Sequence, residues 1–129
     1  MKKIEMIVER TNTGYSAYAK AYPAGTTGSD LHELTTNMLE VMNFYFDEME
    51  NKGRTVTEND LKITLDLPQF FEFYKVINAK ALSERIGMNQ SLLSQYISGI
   101  KKPSSAQTRR ILQGVQKIGR ELAEINFLL

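Results

Sequence analysis

Residues 81–99 read Ala81-Leu82-Ser83-Glu84-Arg85-Ile86-Gly87-Met88-Asn89-Gln90-Ser91-Leu92-Leu93-Ser94-Gln95-Tyr96-Ile97-Ser98-Gly99, and each part of this stretch has a structural job. Leu82 and Ile86 stand four apart, so they share a helix face that needs a core. Ser83 is small enough to admit a neighbouring helix. Gly87 stops the first helix and tolerates the positive φ of a tight turn. Met88 is the apolar residue of that turn, and Asn89 can cap a second helix with its side-chain oxygen. Leu93, Tyr96 and Ile97 form the buried side of the second helix, which leaves Gln90, Ser91, Ser94 and Gln95 on its outer side, polar and uncharged.

The chain leaves this pair of helices through Ile100-Lys101-Lys102-Pro103-Ser104. The lysines suit phosphates, and a helix beginning near Ser104 offers a second place for an anion. A recognition helix inserts its N-terminal residues among base edges; glutamine can bond adenine bidentately, and serine can bond several bases. The residues expected at bases are Asn89, Gln90, Ser91 and Gln95, and those expected at phosphates are Ser94, Lys101, Lys102 and Ser104. From about Phe70 onward the sequence resembles the Cro/repressor-type helix-turn-helix family, which commonly shows a Gly–apolar–Ser/Thr/Asn turn and a Ser-Gly-Lys-x-Pro-Ser ending. It departs from that pattern at Ser83, where alanine is usual, and at Ile100, where a basic residue is common.

Upstream the patterning changes. Ile4, Met6 and Val8 alternate on one face of a strand, and Thr11-Asn12-Thr13-Gly14 has turn chemistry. Tyr15 to Tyr22 then alternates strictly, with Ala17, Ala19 and Ala21 on one face and Ser16, Tyr18, Lys20 and Tyr22 on the other, so the two runs read as a hairpin. Residues 24–29 read as a Gly/Thr loop. Asp30 caps a helix expected over 31–50, with Glu33 at the capping-box position and Leu31, Leu34, Met38, Met42, Tyr45 and Met49 as its apolar stripe. Asn51-Lys52-Gly53 is expected to end it, with Gly53 as the C-cap. Leu61, Ile63, Leu65 and Leu67 alternate as a further strand. Pro68 opens helical patterning, and further helices are expected from Asn78 to Gly87, after Asn89, and from about Ser104 to Ile125. The domain boundary is therefore expected at residues 66 and 67: an α+β domain over 1–66 and an all-α domain of five helices over 67–129.

Composition narrows the function. Of 129 residues 42% are apolar, enough for a core. There is no cysteine, which excludes disulfides and Cys-based zinc sites and fits a cytoplasmic protein. No apolar run reaches membrane-spanning length, and Glu5 and Glu9 interrupt any signal-like start, so no membrane association is expected. The net charge of +1 hides a division: residues 1–77 hold 8 Lys/Arg and 12 Asp/Glu, whereas residues 78–129 hold 8 and 3. A basic half beside an acidic half fits one half meeting a polyanion.

The N-terminal half carries a second resemblance. Val8-Glu9, Gly14-Tyr15-Ser16-Ala17-Tyr18, Tyr22-Pro23 and Gly28-Ser29-Asp30-Leu31-His32-Glu33-Leu34, running into Asn37, resemble the opening of HicB-family antitoxins over about residues 4–66. The turn departs from the family, because Ala24 separates Pro23 from Gly25. The resemblance implies a partial ribonuclease-H-like β-β-β-α-β domain without catalytic carboxylates. It also implies a small basic, HicA-like RNA-degrading toxin as partner and repression of the shared operon through operator DNA. Tyr18 and Tyr22 are the expected toxin contacts, since exposed tyrosines serve well as interface anchors. A homodimer or higher oligomer is expected on a palindromic operator, with Ile125-Asn126-Phe127-Leu128-Leu129 as an association surface.

Enzymatic readings are weak. Glu5, Glu9, Asp30 and Asp66 are the only acids one could recruit to a metal-dependent nuclease, and Glu5 and Glu9 alternate as on any half-exposed strand. His32 has no evident nucleophile partner. No catalytic residue, metal ligand or cofactor is assigned. The main alternative to an antitoxin is a stand-alone helix-turn-helix repressor whose N-terminal domain senses a ligand or dimerises.

Overall fold

The structure, a computed structural model, describes residues 2–50 and 55–129, the side chains of residues 49 and 50 excepted. The expected helix stop at Asn51-Lys52-Gly53 and the side chain of Met49 lie outside the described residues. The chain forms two compact units, Met1–Phe73 and Tyr74–Leu129, and is of mixed α and β type.

The first unit contains β1 (Ile4–Thr11), β2 (Gly14–Ala19), β3 (Gly25–Gly28), α1 (Leu31–Tyr45), β4 (Leu61–Leu65) and α2 (Leu67–Phe73). The sheet order is β3-β2-β1-β4. β1–β2 and β2–β3 are antiparallel, whereas β4 returns parallel to β1, pairing Ile4 with Leu61 and Val8 with Leu65. Period-2 alternation puts Ile4, Met6 and Val8 in the core beside Ala17 and Ala19, and α1 covers them with Leu34, Met38 and Met42. At the start of α1 a β-carbon on Gly28 would lie 2.5 Å from the backbone nitrogen of Leu34, so helix and strand touch backbone to backbone.

Four expectations for this unit need correction. Residues 24–29 are not all loop, since Gly25–Gly28 forms the edge strand β3. The second strand ends at Ala19, and a backbone bond from Ala19 N to Ala24 O turns the chain there. Ala21 is therefore exposed, and Tyr22 leaves the line of Tyr18 to stack against Tyr45 and Phe46 at centroid distances of 5.4 and 5.1 Å. In α1, Leu31 is exposed, and the stripe closes on the fully buried Phe46, which opens a π-helical turn over Phe46–Glu50. In β4, an outer strand, Leu61 is buried but Ile63 is 53% exposed, and Leu67 belongs to the next helix.

The expected boundary at 66/67 also shifts, because α2 packs on β1 within the first unit. The Gln69 amide accepts from Arg10 N at 2.9 Å and donates to Arg10 O at 2.8 Å, continuing the β1 ladder with a side chain. Asn43 does the same for Val56, accepting from its N–H at 2.7 Å and donating to its carbonyl at 3.1 Å. Instead of five helices over 67–129 there are four, α2 and three that follow it, and a closing 3-10 turn (Ile125–Leu128).

Candidate nucleic-acid interface

The second unit contains α3 (Ala79–Ile86), α4 (Gln90–Ser98) and α5 (Ser105–Glu124). Leu82, Ser83, Met88, Leu93, Tyr96 and Ile111 are its buried residues. Each helix begins on a side-chain cap: Asn78 accepts from Ala81 N, Asn89 from Ser91 N and Leu92 N, and Ser104 from Gln107 N.

The turn between α3 and α4 is a closed hydrogen-bonded unit. Gly87 sits at φ 65°, ψ 33°, the left-handed region that costs a residue with a β-carbon energy. Its N–H donates to Glu84 O, and Met88 N–H donates to Ser83 O, the paired bonds of a Schellman cap. Met88 is buried below. Arg110, which sequence reasoning did not single out, donates from Nη2 to the carbonyls of Ile86 and Gly87 at 2.8 and 2.7 Å. A cation on the last carbonyls of α3 also opposes the negative end of its dipole. No sequence pattern marks an arginine more than twenty residues downstream for that task.

The outer side of α4 is as expected. Gln90, Ser91, Ser94 and Gln95 are exposed, Leu93 and Tyr96 are buried, and Ile97 is half-buried. At about 100° per residue the four polar side chains fall within one arc of about 140°. No charge lies on α4 itself. Asn89 is exposed, but its Oδ1 is committed to the cap, so only its amide NH2 faces outward chemistry. Ser104 Oγ likewise accepts from Gln107 N and keeps its O–H to donate.

Gly99, at φ 81°, ends α4. Lys101 and Lys102 follow on the surface, with Lys101 N–H donating to Gln95 O and so fixing the exit against α4. Ile100, in place of the more usual basic residue, is 79% exposed. One turn into α5, Arg109 adds an exposed positive charge that sequence reasoning had also passed over. Residues 74–129 hold 9 Lys/Arg and 3 Asp/Glu. Arg85 pairs with Glu121 of α5.

The expected contacts of the first unit separate: Tyr18 is 45% exposed on the sheet face that α1 does not cover, while the Tyr22 ring is engaged at the end of α1. Of the acids considered for catalysis, Glu5, Asp30 and Asp66 have structural partners. Glu5 accepts from Thr64 Oγ1 at 2.9 Å and pairs with Lys20 at 3.7 Å, Asp30 caps α1, and Asp66 caps α2 by accepting from Gln69 N. Among the described residues no three acidic or histidine side chains gather as a metal site, and no helix is long and apolar enough to cross a membrane. Comparison of the chain with models of known protein families, with curated proteins and with solved structures returned no match to any of them.

Proposed function

We propose that this protein is a HicB-like antitoxin that binds operator DNA through a helix-turn-helix, α3–turn–α4, and neutralises a small basic toxin through its first unit. The observation that carries the DNA reading is the outer side of α4: uncharged hydrogen-bonding side chains next to Lys101, Lys102 and the capped start of α5. That is the division of labour of a sequence reader, with neutral groups for base edges and cations for phosphates. In this reading Gln90, Ser91 and Gln95, with the Asn89 amide, meet bases. Ser94, Lys101, Lys102 and Ser104 meet phosphates, and Arg109 joins them.

The strand and helix order β-β-β-α-β supports a partial ribonuclease-H-like first unit, as the resemblance to HicB antitoxins implies. The charge division supports it too, an acidic unit for a basic protein and a basic unit for DNA. Exposed apolar residues at the chain's end, Leu122, Ile125, Phe127, Leu128 and Leu129, support a homodimer on a two-fold operator. One recognition helix of nine residues is too small to be both tight and selective alone.

The test is a growth assay of the reading frame next to this gene, expressed alone and with the full chain. Toxicity rescued by the chain sustains the antitoxin reading. A harmless neighbour, or toxicity that soluble chain fails to relieve, overturns it. The DNA reading is tested separately by selection of bound sequences from a random pool. A palindromic consensus sustains it, and recovery of unselected sequence overturns it.

A further inference from the structure

Helix α1 has a second face besides the one it gives to the core. Glu33, Asn37, Glu40 and Phe44 follow one another at spacings of four, three and four, so at about 100° per residue they lie within about 60° of each other. Phe44 is 65% exposed, so its ring is open to an incoming apolar side chain. Beside it a cavity of about 350 Å³ opens between α1 and the outer strand β3, lined by Thr26, Asn37, Glu40, Val41 and Phe44. Asn37, in its lining, donates from Nδ2 to Thr27 O at 2.8 Å, which ties helix and strand together there.

The charge on this face has one sign. α1 and the turn after it carry Glu33, Glu40, Asp47, Glu48 and Glu50 in their sequence and no lysine or arginine. Glu33 is partly spent, because its carboxylate accepts from Ser29 N and Oγ. Glu40, exposed at the rim beside Phe44, is the acid placed to meet an incoming cation.

We propose that the outer face of α1, from Glu33 to Phe44, with the groove it forms against β3, is a docking surface for a basic amphipathic helix of a partner protein. The 4-3-4 spacing presents the ridge that a second helix packs against. Phe44 and Val41 supply the apolar anchor, and Glu40 selects a lysine or arginine beside it. A nucleic acid or an acidic protein is repelled by the same charges. The surface follows from α1 and β3 alone. Identifying its occupant with a toxin rests on the antitoxin reading above, and it would move the toxin contact from Tyr18 and Tyr22 to α1.

The probe is a fluorescein-labelled synthetic helix with heptad-spaced lysines flanking a leucine seam, titrated against the full chain by fluorescence anisotropy. A control peptide carries glutamate for lysine. The expected result is binding of the basic peptide only, weakened about tenfold or more by Glu40→Lys and about fivefold by Phe44→Ala. Glu58→Lys, the same charge change at an exposed acid that is not on α1 and does not line the groove, should alter affinity by less than about twofold. Equal losses from Glu40→Lys and Glu58→Lys would reduce the effect to net charge and overturn the proposal, as would unchanged binding by Phe44→Ala or no binding by the intact chain. Unchanged circular dichroism and DNA affinity of the variants separate loss of the surface from loss of the fold. Peptide binding is read without any toxin, so its outcome is distinct from that of the growth assay.

Discussion

Single side chains decide how sharply the α3–α4 pair is held and, in the proposed reading, what it reads. Gln90→Ala with Gln95→Ala should cost about 1–3 kcal/mol per lost base contact and relax sequence preference, measured by titrating operator variants. Lys101→Ala should weaken every sequence alike and lower the slope of log K against log salt by about one unit. The exposure of these side chains was legible because it is local: a polar arc on a short helix and a basic exit show in the sequence. Arg110 was not, since its partners are two backbone carbonyls made available only by the turn's fold. Asn89 was half legible; its position announced a cap, but the cap uses the oxygen that a base contact would have wanted. Gly114 is another such hidden constraint. A β-carbon there would lie 2.3 Å from Ile86 Cγ2. Gly114→Val should therefore destabilise the unit by about 1–3 kcal/mol through overpacking, seen as a lowered denaturation midpoint.

Among the elements, those whose stop and start signals sit beside them were read correctly. α3 and α4 begin on Asn78 and Asn89 and end on Gly87 and Gly99, so capping chemistry marked them closely, whereas the start of α5 was placed only near Ser104 or Ser105, and the cap is Ser104. Asn89→Ala should cost about 1 kcal/mol of stability, as the loss of an N-cap does, in thermal or chemical melts. β3 escaped because Gly-Thr-Thr-Gly has no apolar alternation; it is a strand only because β2 offers it an edge. α2 was assigned to the wrong neighbour for a similar reason. Its attachment runs through the Gln69 amide to the Arg10 backbone, a contact 59 residues apart in sequence. The π-helical turn after α1 opens on Phe46, which the stripe read from periodicity passed over and which closes the core beside the partly buried Tyr45.

Over the whole molecule, the division of charge and the apolar C-terminus set the expected behaviour. If the exposed leucines and isoleucine of α5 and its closing turn pair two chains, Leu122→Asp with Ile125→Asp should halve the mass found by light scattering. Operator affinity should then fall by more than tenfold, because two linked half-sites gain from effective concentration. A mass unchanged from wild type, with operator binding intact, would exclude this surface from the assembly. Composition revealed the two-part charge plan at once. It could not reveal which apolar residues stay uncovered, since Leu122 and Leu93 look alike until packing places one outside and one inside.

The parallel pairing of β1 with β4 bears on how the protein is made. Ile4 must wait for Leu61, so the sheet closes across a long loop, whereas α3 and α4 need only near neighbours. Non-local pairing slows folding, and at about 5–20 residues per second synthesis takes about 3–12 seconds to supply β4. Throughout that interval the nascent β1 shows the ribosome exit an open edge that any other strand could borrow.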